Sequence, residues 1–170
     1  MRIYQFLILH FFANIIRSNC SPFETKKLID NSNFFFLTDV STSGLSHQRG
    51  SNQLILGGTG SALTVSTTAY LNIIIGASPI LIHKIITQGE SSATDYVEEF
   101  EMSYTLDGST FIPYSYYGSN RIPGNYPSSD WMVNVLEEPL RTSGIRIRAL
   151  NCSGACKLRL EIIYSDVCWI

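Results

Sequence analysis

The fold is decided by Tyr70–Gly108, YLNIIIGASPILIHKIITQGESSATDYVEEFEMSYTLDG. An apolar run from Tyr70 to Ile75 stops at Gly76, and a second, from Ile80 to Ile86, stops at Thr87-Gln88-Gly89. A polar loop follows, and then a strand of clean alternation. Phe100, Met102, Tyr104 and Leu106 fall on one face, with Glu99, Glu101, Ser103 and Thr105 on the other. Period-two alternation over eight residues marks a half-buried strand, and Asp107-Gly108 marks the turn that ends it. Two core strands, an exposed loop, a third strand and a tight turn come from one stretch. Nothing in it has the makings of a catalytic centre.

Outward from that stretch the same grammar continues. Thr110–Tyr114 is the returning arm of a hairpin. Tyr114–Pro127 holds four tyrosines, Arg121 and the turn former Pro123-Gly124-Asn125. Trp131–Leu136 is a further strand, and Pro139 breaks the chain before Gly144. Ile145–Arg148 and Leu158–Ile162 alternate again. Upstream, Ser21–Asn33 carries weak helix-like content around Lys26-Lys27, and Phe34–Leu37 and Gln53–Leu56 read as short strands. Thr38–Asn52, rich in Ser, Gly and Thr, is loop, as is Gly57–Ser61. No GxGxxG or Gly-Lys-Ser/Thr follows those glycines and no helix opens behind them, so they read as a turn rather than a phosphate cradle. Eight or so short strands with turn signals between them, and no long helix, predict an all-β sandwich or barrel.

A chain of 170 residues allows one domain. At 45% hydrophobic and 15% charged residues it has material for a core. Met1–Ser18 reads as a signal peptide: Arg2 gives the positive start, Ile3–Ile16 the apolar run, and Ser18 the small residue for cleavage. The run is too short to span a bilayer, which takes roughly 20 residues. The mature domain, residues 19–170, is therefore expected to be secreted and extracellular. Without Arg2 and Arg17, 10 of the 12 basic residues face 14 acidic ones. That balance, without Lys/Arg clusters, excludes an electrostatic nucleic-acid binder and argues against strong attraction to anionic lipid.

Four cysteines, Cys20, Cys152, Cys156 and Cys168, suggest two disulfides in an oxidising compartment, and four cysteines allow three pairings. A bridge between Cys20 and Cys168 would tie both termini together and contribute about 4–5 kcal/mol in the loop-closure account. Cys152 and Cys156 are separated by Ser-Gly-Ala, which can turn back on itself, so we pair them. The alternative is a thiolate metal site. Only His47 and His83 accompany the cysteines in the mature chain, and no second cysteine pair has zinc spacing. Asn151-Cys152-Ser153 is a glycosylation sequon, and Asn19-Cys20-Ser21 is another at the expected mature N-terminus.

Catalysis finds little support. His47 lies beside Ser46 with Asp39 nearby, but no Gly-x-Ser-x-Gly is present, so a secreted hydrolase ranks last. His83, in an apolar strand, reads as an outward-facing or satisfied histidine. Glu90, Asp95, Glu98 and Glu99 could form an acidic rim for basic protein surfaces or calcium, against the plainer reading of a solvated loop. Arg146, Arg148, Arg159 and Glu161 are expected to pair with one another or with the acidic strand. No cofactor is called for.

These stretches together resemble the discoidin family, the coagulation factor five/eight C-type domain, from Cys20 to Cys168. Tyr70–Gly76 resembles the family's Tyr-Leu-Gln-Ile-Asp-Leu-Gly strand, and Ile85–Gly89 its Ile-x-Thr-Gln-Gly. Phe100–Phe111 resembles its tyrosine-containing strand, Asp-Gly turn and following aromatic. Gly124-Asn125, Asn134 and Pro139 fall at the family's Gly-Asn, Asn and Pro. Ile145-Arg146-Ile147 is similar to Tyr-Ile-Arg-Ile, and Leu158–Glu161 to Leu-Arg-x-Glu-Leu. Cys20 and Cys168 match the family's end-to-end disulfide. Cys168-Trp169 faintly resembles the end of the module in discoidin domain receptors, which bind collagen. The chain departs at Ile74, where the family has an acidic residue, and at Ala62 or Leu63, where a loop tryptophan is missing.

The resemblance implies a distorted jelly-roll barrel, galactose-binding-domain-like, with no enzymatic activity of its own. Loops at one end would bind phospholipid headgroups, galactose-type sugars, collagen or other proteins. Those loops are Leu45–Gln53, Gly57–Thr67 and Glu90–Tyr96. The ligand residues this implies are Leu45, His47, Gln48, Arg49 and Asn52 in the first, Thr59 and Leu63 in the second, and Glu90, Asp95 and Tyr96 in the third. Apolar tips at Leu45, Leu63 and Val65 with only Arg49 for a cationic collar make lipid insertion weak. A glycan or an extracellular protein is therefore the expected partner, ahead of membrane lipid.

Overall fold

The computed structural model describes residues 24–29, 53–58, 61–75, 78–127 and 130–167. Among them are ten strands and no helix. In chain order these are β1 (Lys26–Lys27), β2 (Leu63–Thr64), β3 (Leu71–Ile74), β4 (Ile80–Gln88), β5 (Tyr96–Thr105), β6 (Ile112–Pro113), β7 (Ile122–Pro123), β8 (Met132–Thr142), β9 (Gly144–Ser153) and β10 (Lys157–Asp166). They form two antiparallel sheets. One runs β1-β10-β4-β8 with β2 on the other end of β10, and the second runs β3-β9-β5-β6 with β7 also on β5. The chain changes sheet at β2–β3, β3–β4, β4–β5, β7–β8, β8–β9 and β9–β10, so sequence neighbours face each other across the core.

Alternation supplies that core. Phe100 and Met102 of β5, Ile145, Ile147 and Ala149 of β9, and Leu158, Leu160 and Ile162 of β10 are all buried between the sheets. Each such aliphatic contributes about 1.5–3 kcal/mol by leaving water. In β4 the inward residues are Ile80, Ile82, Ile85 and Thr87, a pattern that breaks period two. The break is a bulge: the registers with both β8 and β10 shift around His83, between Ile82 and Lys84. His83 Nε2 meets Ser165 Oγ at 2.8 Å, which satisfies it.

Four local readings are corrected. Lys26-Lys27 is a strand, because the edge of β10 at Tyr164 and Ile163 offers it a ladder that outweighs weak helix propensity. Gln53–Leu56 is turn rather than strand, with the Leu54 carbonyl accepting from Leu160 N and Gly57 in the left-handed region. β8 runs through Pro139 to Thr142. The proline sits in an excursion of β8 opposite His83 where no ladder N–H is needed. Leu106, read as inward, is 55% exposed because β5 ends at Thr105 and the Asp107 turn begins. The signal peptide, the Phe34–Leu37 strand and Cys20 and Cys168 lie outside the described residues.

Candidate functional site

One end of the sandwich gathers the β4–β5 loop, the β9–β10 turn and the segment after β7. Gly89 and Gly124 are what allow it to close. A Cβ on Gly89 would stand 2.5 Å from Tyr96 Cβ, and one on Gly124 would stand 2.1 Å from the Val97 carbonyl oxygen. Gly124 N and Asn125 N donate to the carbonyls of Glu98 and Val97 at 2.7 and 2.6 Å, extending the β7 ladder past a bulge in β5.

The loop is tied down from three sides. Glu90 Oε2 accepts from Ala62 N at 2.7 Å and from Ser61 Oγ at 3.0 Å. Its Oε1 faces Arg159 at 3.4 Å, and Arg159, 1% exposed, also donates to the Gly89 carbonyl. Burial opposes the Glu90 charge, but the N–H groups of Ala62 and Ser91, the Ser61 hydroxyl and Arg159 outweigh it and hold the carboxyl below its ordinary value. Asp95 Oδ1 accepts from Ala155 N at 3.0 Å, clasping the β9–β10 turn. That turn is closed by the Cys152–Cys156 disulfide, with Gly154 at positive φ beneath it.

Beside the loop opens a cleft of about 430 Å³. Its walls include Glu98 and Glu99 of β5, Arg121, Asn125, Tyr126 and Asn151. Arg121 NH1 reaches Glu99 at 2.6 Å and remains largely in solvent. Asn125 is buried; its Nδ2 donates to the Thr87 and Asp130 carbonyls and so binds the two sheets together. Tyr126, next in the chain, is 65% exposed. An open aromatic ring ringed by carboxylates, a guanidinium and an amide can stack on an apolar ligand face and hydrogen-bond its polar edge.

The sequence-derived candidates divide. Leu63 is 2% exposed and pairs with Leu158, a core residue rather than an exposed tip, because β2 pairs alongside β10 and its side chain joins the core. Val65 is buried as well. Glu90 and Asp95 are brought together at the loop, but as anchors of peptide N–H groups. Tyr96 is buried at its base and lines the cleft, and Asn151 is exposed at the rim. Leu45, His47, Gln48, Arg49, Asn52 and Thr59 lie outside the described residues. Among the described residues no three His, Cys, Asp or Glu are grouped to hold a metal ion. Arg148 pairs with Glu101 of the acidic strand at 2.8 Å, whereas Arg159 pairs with Glu90 of the loop, Glu161 accepts from Ile29 N and Arg146 lies over the Tyr70 and Phe111 rings. Sequence reasoning missed Tyr126, Glu98 and Arg121 as a unit. The signal was a tyrosine and an arginine flanking the Pro-Gly-Asn turn.

A two-sheet antiparallel sandwich that gathers loops and an open cleft at one end defines a jelly-roll fold. The model of the F5/8 type C domain matches residues 41–162, and the chain belongs to that family. It is 31% identical over 84 residues to lactadherin of Bos taurus, covering 46% of this chain and 20% of that protein. To coagulation factor VIII of Canis lupus familiaris it is 31% identical over 96 residues, 52% of this chain and 4% of the relative. The chain thus spans about a fifth or less of these relatives. Among solved structures, discoidin II of Dictyostelium discoideum superposes with a TM-score of 0.68 at 16% identity, over 86% of this chain and 60% of that one. The CBM32-1 module of a family 31 glycoside hydrolase of Clostridium perfringens gives 0.53 at 13% identity, over 85% and 96%. The all-β jelly-roll expectation holds.

Proposed function

We propose that the protein is a secreted recognition module that binds a glycan or an extracellular protein through the loop end and its cleft. The observation that carries this reading is Tyr126, an exposed ring held beside Arg121, Glu98 and Asn151 by a buried neighbour, Asn125. The anchoring of Glu90 and Asp95 to backbone amides supports it, since a loop ordered before contact loses little entropy on binding. Leu45, His47, Gln48, Arg49, Asn52 and Thr59 remain candidate ligand residues in this reading. Its kinship to lactadherin and factor VIII supports an extracellular location.

The test is a glycan and matrix-protein array, with and without calcium, probed by the wild type and by Tyr126→Ala. The expected result is binding by the wild type that falls at least about tenfold in the variant, in line with loss of an aromatic anchor. Salt-sensitive sedimentation with phosphatidylserine vesicles and a blank array would instead make it a lipid binder. Asn151 belongs to the same surface as a glycan acceptor. A mass decrease on enzymatic deglycosylation, absent in Asn151→Gln, is the expected sign.

A further inference from the structure

A second concave surface lies on the flank of the sandwich, toward the opposite end from the loops. It is a shallow groove with a volume of about 660 Å³. The excursion of β8 forms one wall with Glu137, Glu138 and Leu140. The chain after β6 forms the other with Tyr114, and Tyr104 of β5 lies between. Glu137 Oε1 accepts the backbone N–H of Tyr117, a residue at φ 47°, which fixes the wall that faces it. Glu138 has no hydrogen-bond or ion-pair partner among the described residues, and no lysine or arginine lines the groove. Burial raises Tyr114 above its ordinary value, so its phenol stays neutral and adds no competing charge of its own. The groove therefore offers two carboxylates and two phenol rings with nothing positive to answer them.

We propose that this groove is a docking site for an arginine side chain of a basic protein partner. The planar guanidinium is the cation that fits: it stacks on aromatic faces and takes carboxylate oxygens in a fork. The site is separate from the cleft at Tyr126. Along β5, Glu98 and Tyr104 are six residues apart, about 20 Å at strand rise.

The test is an amide NMR titration of the full chain with N-acetyl-arginine methylamide, using the neutral N-acetyl-citrulline analogue as control. The expected result is saturable movement of the Tyr114, Ser115 and Leu140 signals with arginine alone. Glu138→Gln and Glu138→Lys should weaken it, at least tenfold for the reversal, at unchanged melting temperature because Glu138 holds nothing in place. Tyr126→Ala should leave it untouched. Equal response to citrulline, an unaltered affinity in Glu138→Lys, or no saturation by about 10 mM, where binding is worth less than about 3 kcal/mol, would overturn the proposal.

Discussion

At the residue scale, the carboxylates of the turns decide the acid side of the stability curve. Asp107 accepts from Thr110 N at 2.7 Å, Ser109 N at 2.9 Å and Thr105 Oγ1 at 2.9 Å, which hold its carboxyl well below the ordinary 3.8. Glu90 is likewise held below its ordinary 4.5. A carboxyl depressed in the folded state contributes its full stabilisation above the unfolded value and loses it as pH falls through the folded one. Urea unfolding is therefore expected to show stability falling as the pH drops below about 4.5, with a shallower fall in Glu90→Gln. Gly124→Ala is expected to cost about 3 kcal/mol in the same assay, since its Cβ would meet a strand carbonyl that cannot move aside. The partners of Glu90 and of Gly124 were not legible beforehand. Glu90 reads as an acidic rim in sequence because its donors, Ser61 and Ala62, lie 29 and 28 residues away.

At the scale of elements, alternation was the legible signal and its interruptions were not. The inner faces of β5, β9 and β10 follow directly from Phe100-x-Met102, Ile145-x-Ile147 and Leu158-x-Leu160-x-Ile162. The bulge at His83 does not, because an apolar run of isoleucines gives no phase from which to see the extra residue. Leu63 misled for the opposite reason: an apolar residue amid Gly, Ser and Thr looks like a loop tip until β10 pairs with it. The β9–β10 turn makes a prediction of its own. Replacing both Cys152 and Cys156 by alanine should cost about 2 kcal/mol for so short a closed loop. The loss should be local. Hydrogen exchange is expected to speed at Ala155 and through 89–96, which Asp95 joins to the turn, while β3 and β9 near Ile145 keep their protection. On the outer face, Arg146 lies 4.2 Å from the Tyr70 ring and 4.7 Å from Phe111. Phe111→Ala should cost about 1 kcal/mol through that stacking, read as a lowered urea midpoint.

For the whole molecule, sheet changes do what a longer linker would do elsewhere. β8 and β9 are separated by Ser143 alone, whose N–H donates to Thr105 O and whose carbonyl accepts from Ile75 N. The far end is thereby closed by backbone. The all-β class and the family were readable from strand spacing and motif order. The cleft was not, since it depends on Asn125 joining β4 to the segment after β7, a meeting set only by the folded topology. One consequence of the β8 excursion concerns behaviour at high concentration. Among the described residues β8 is an edge strand; Val133 and Val135 stand exposed along its first half, with Trp131 exposed just before it. Pro139 and the two glutamates beside it deny an incoming strand the second half, leaving too little straight edge for copies to stack into a growing sheet. Pro139→Val should accordingly leave the melting temperature nearly unchanged, yet raise light scattering on concentration, a fault of solubility rather than of folding.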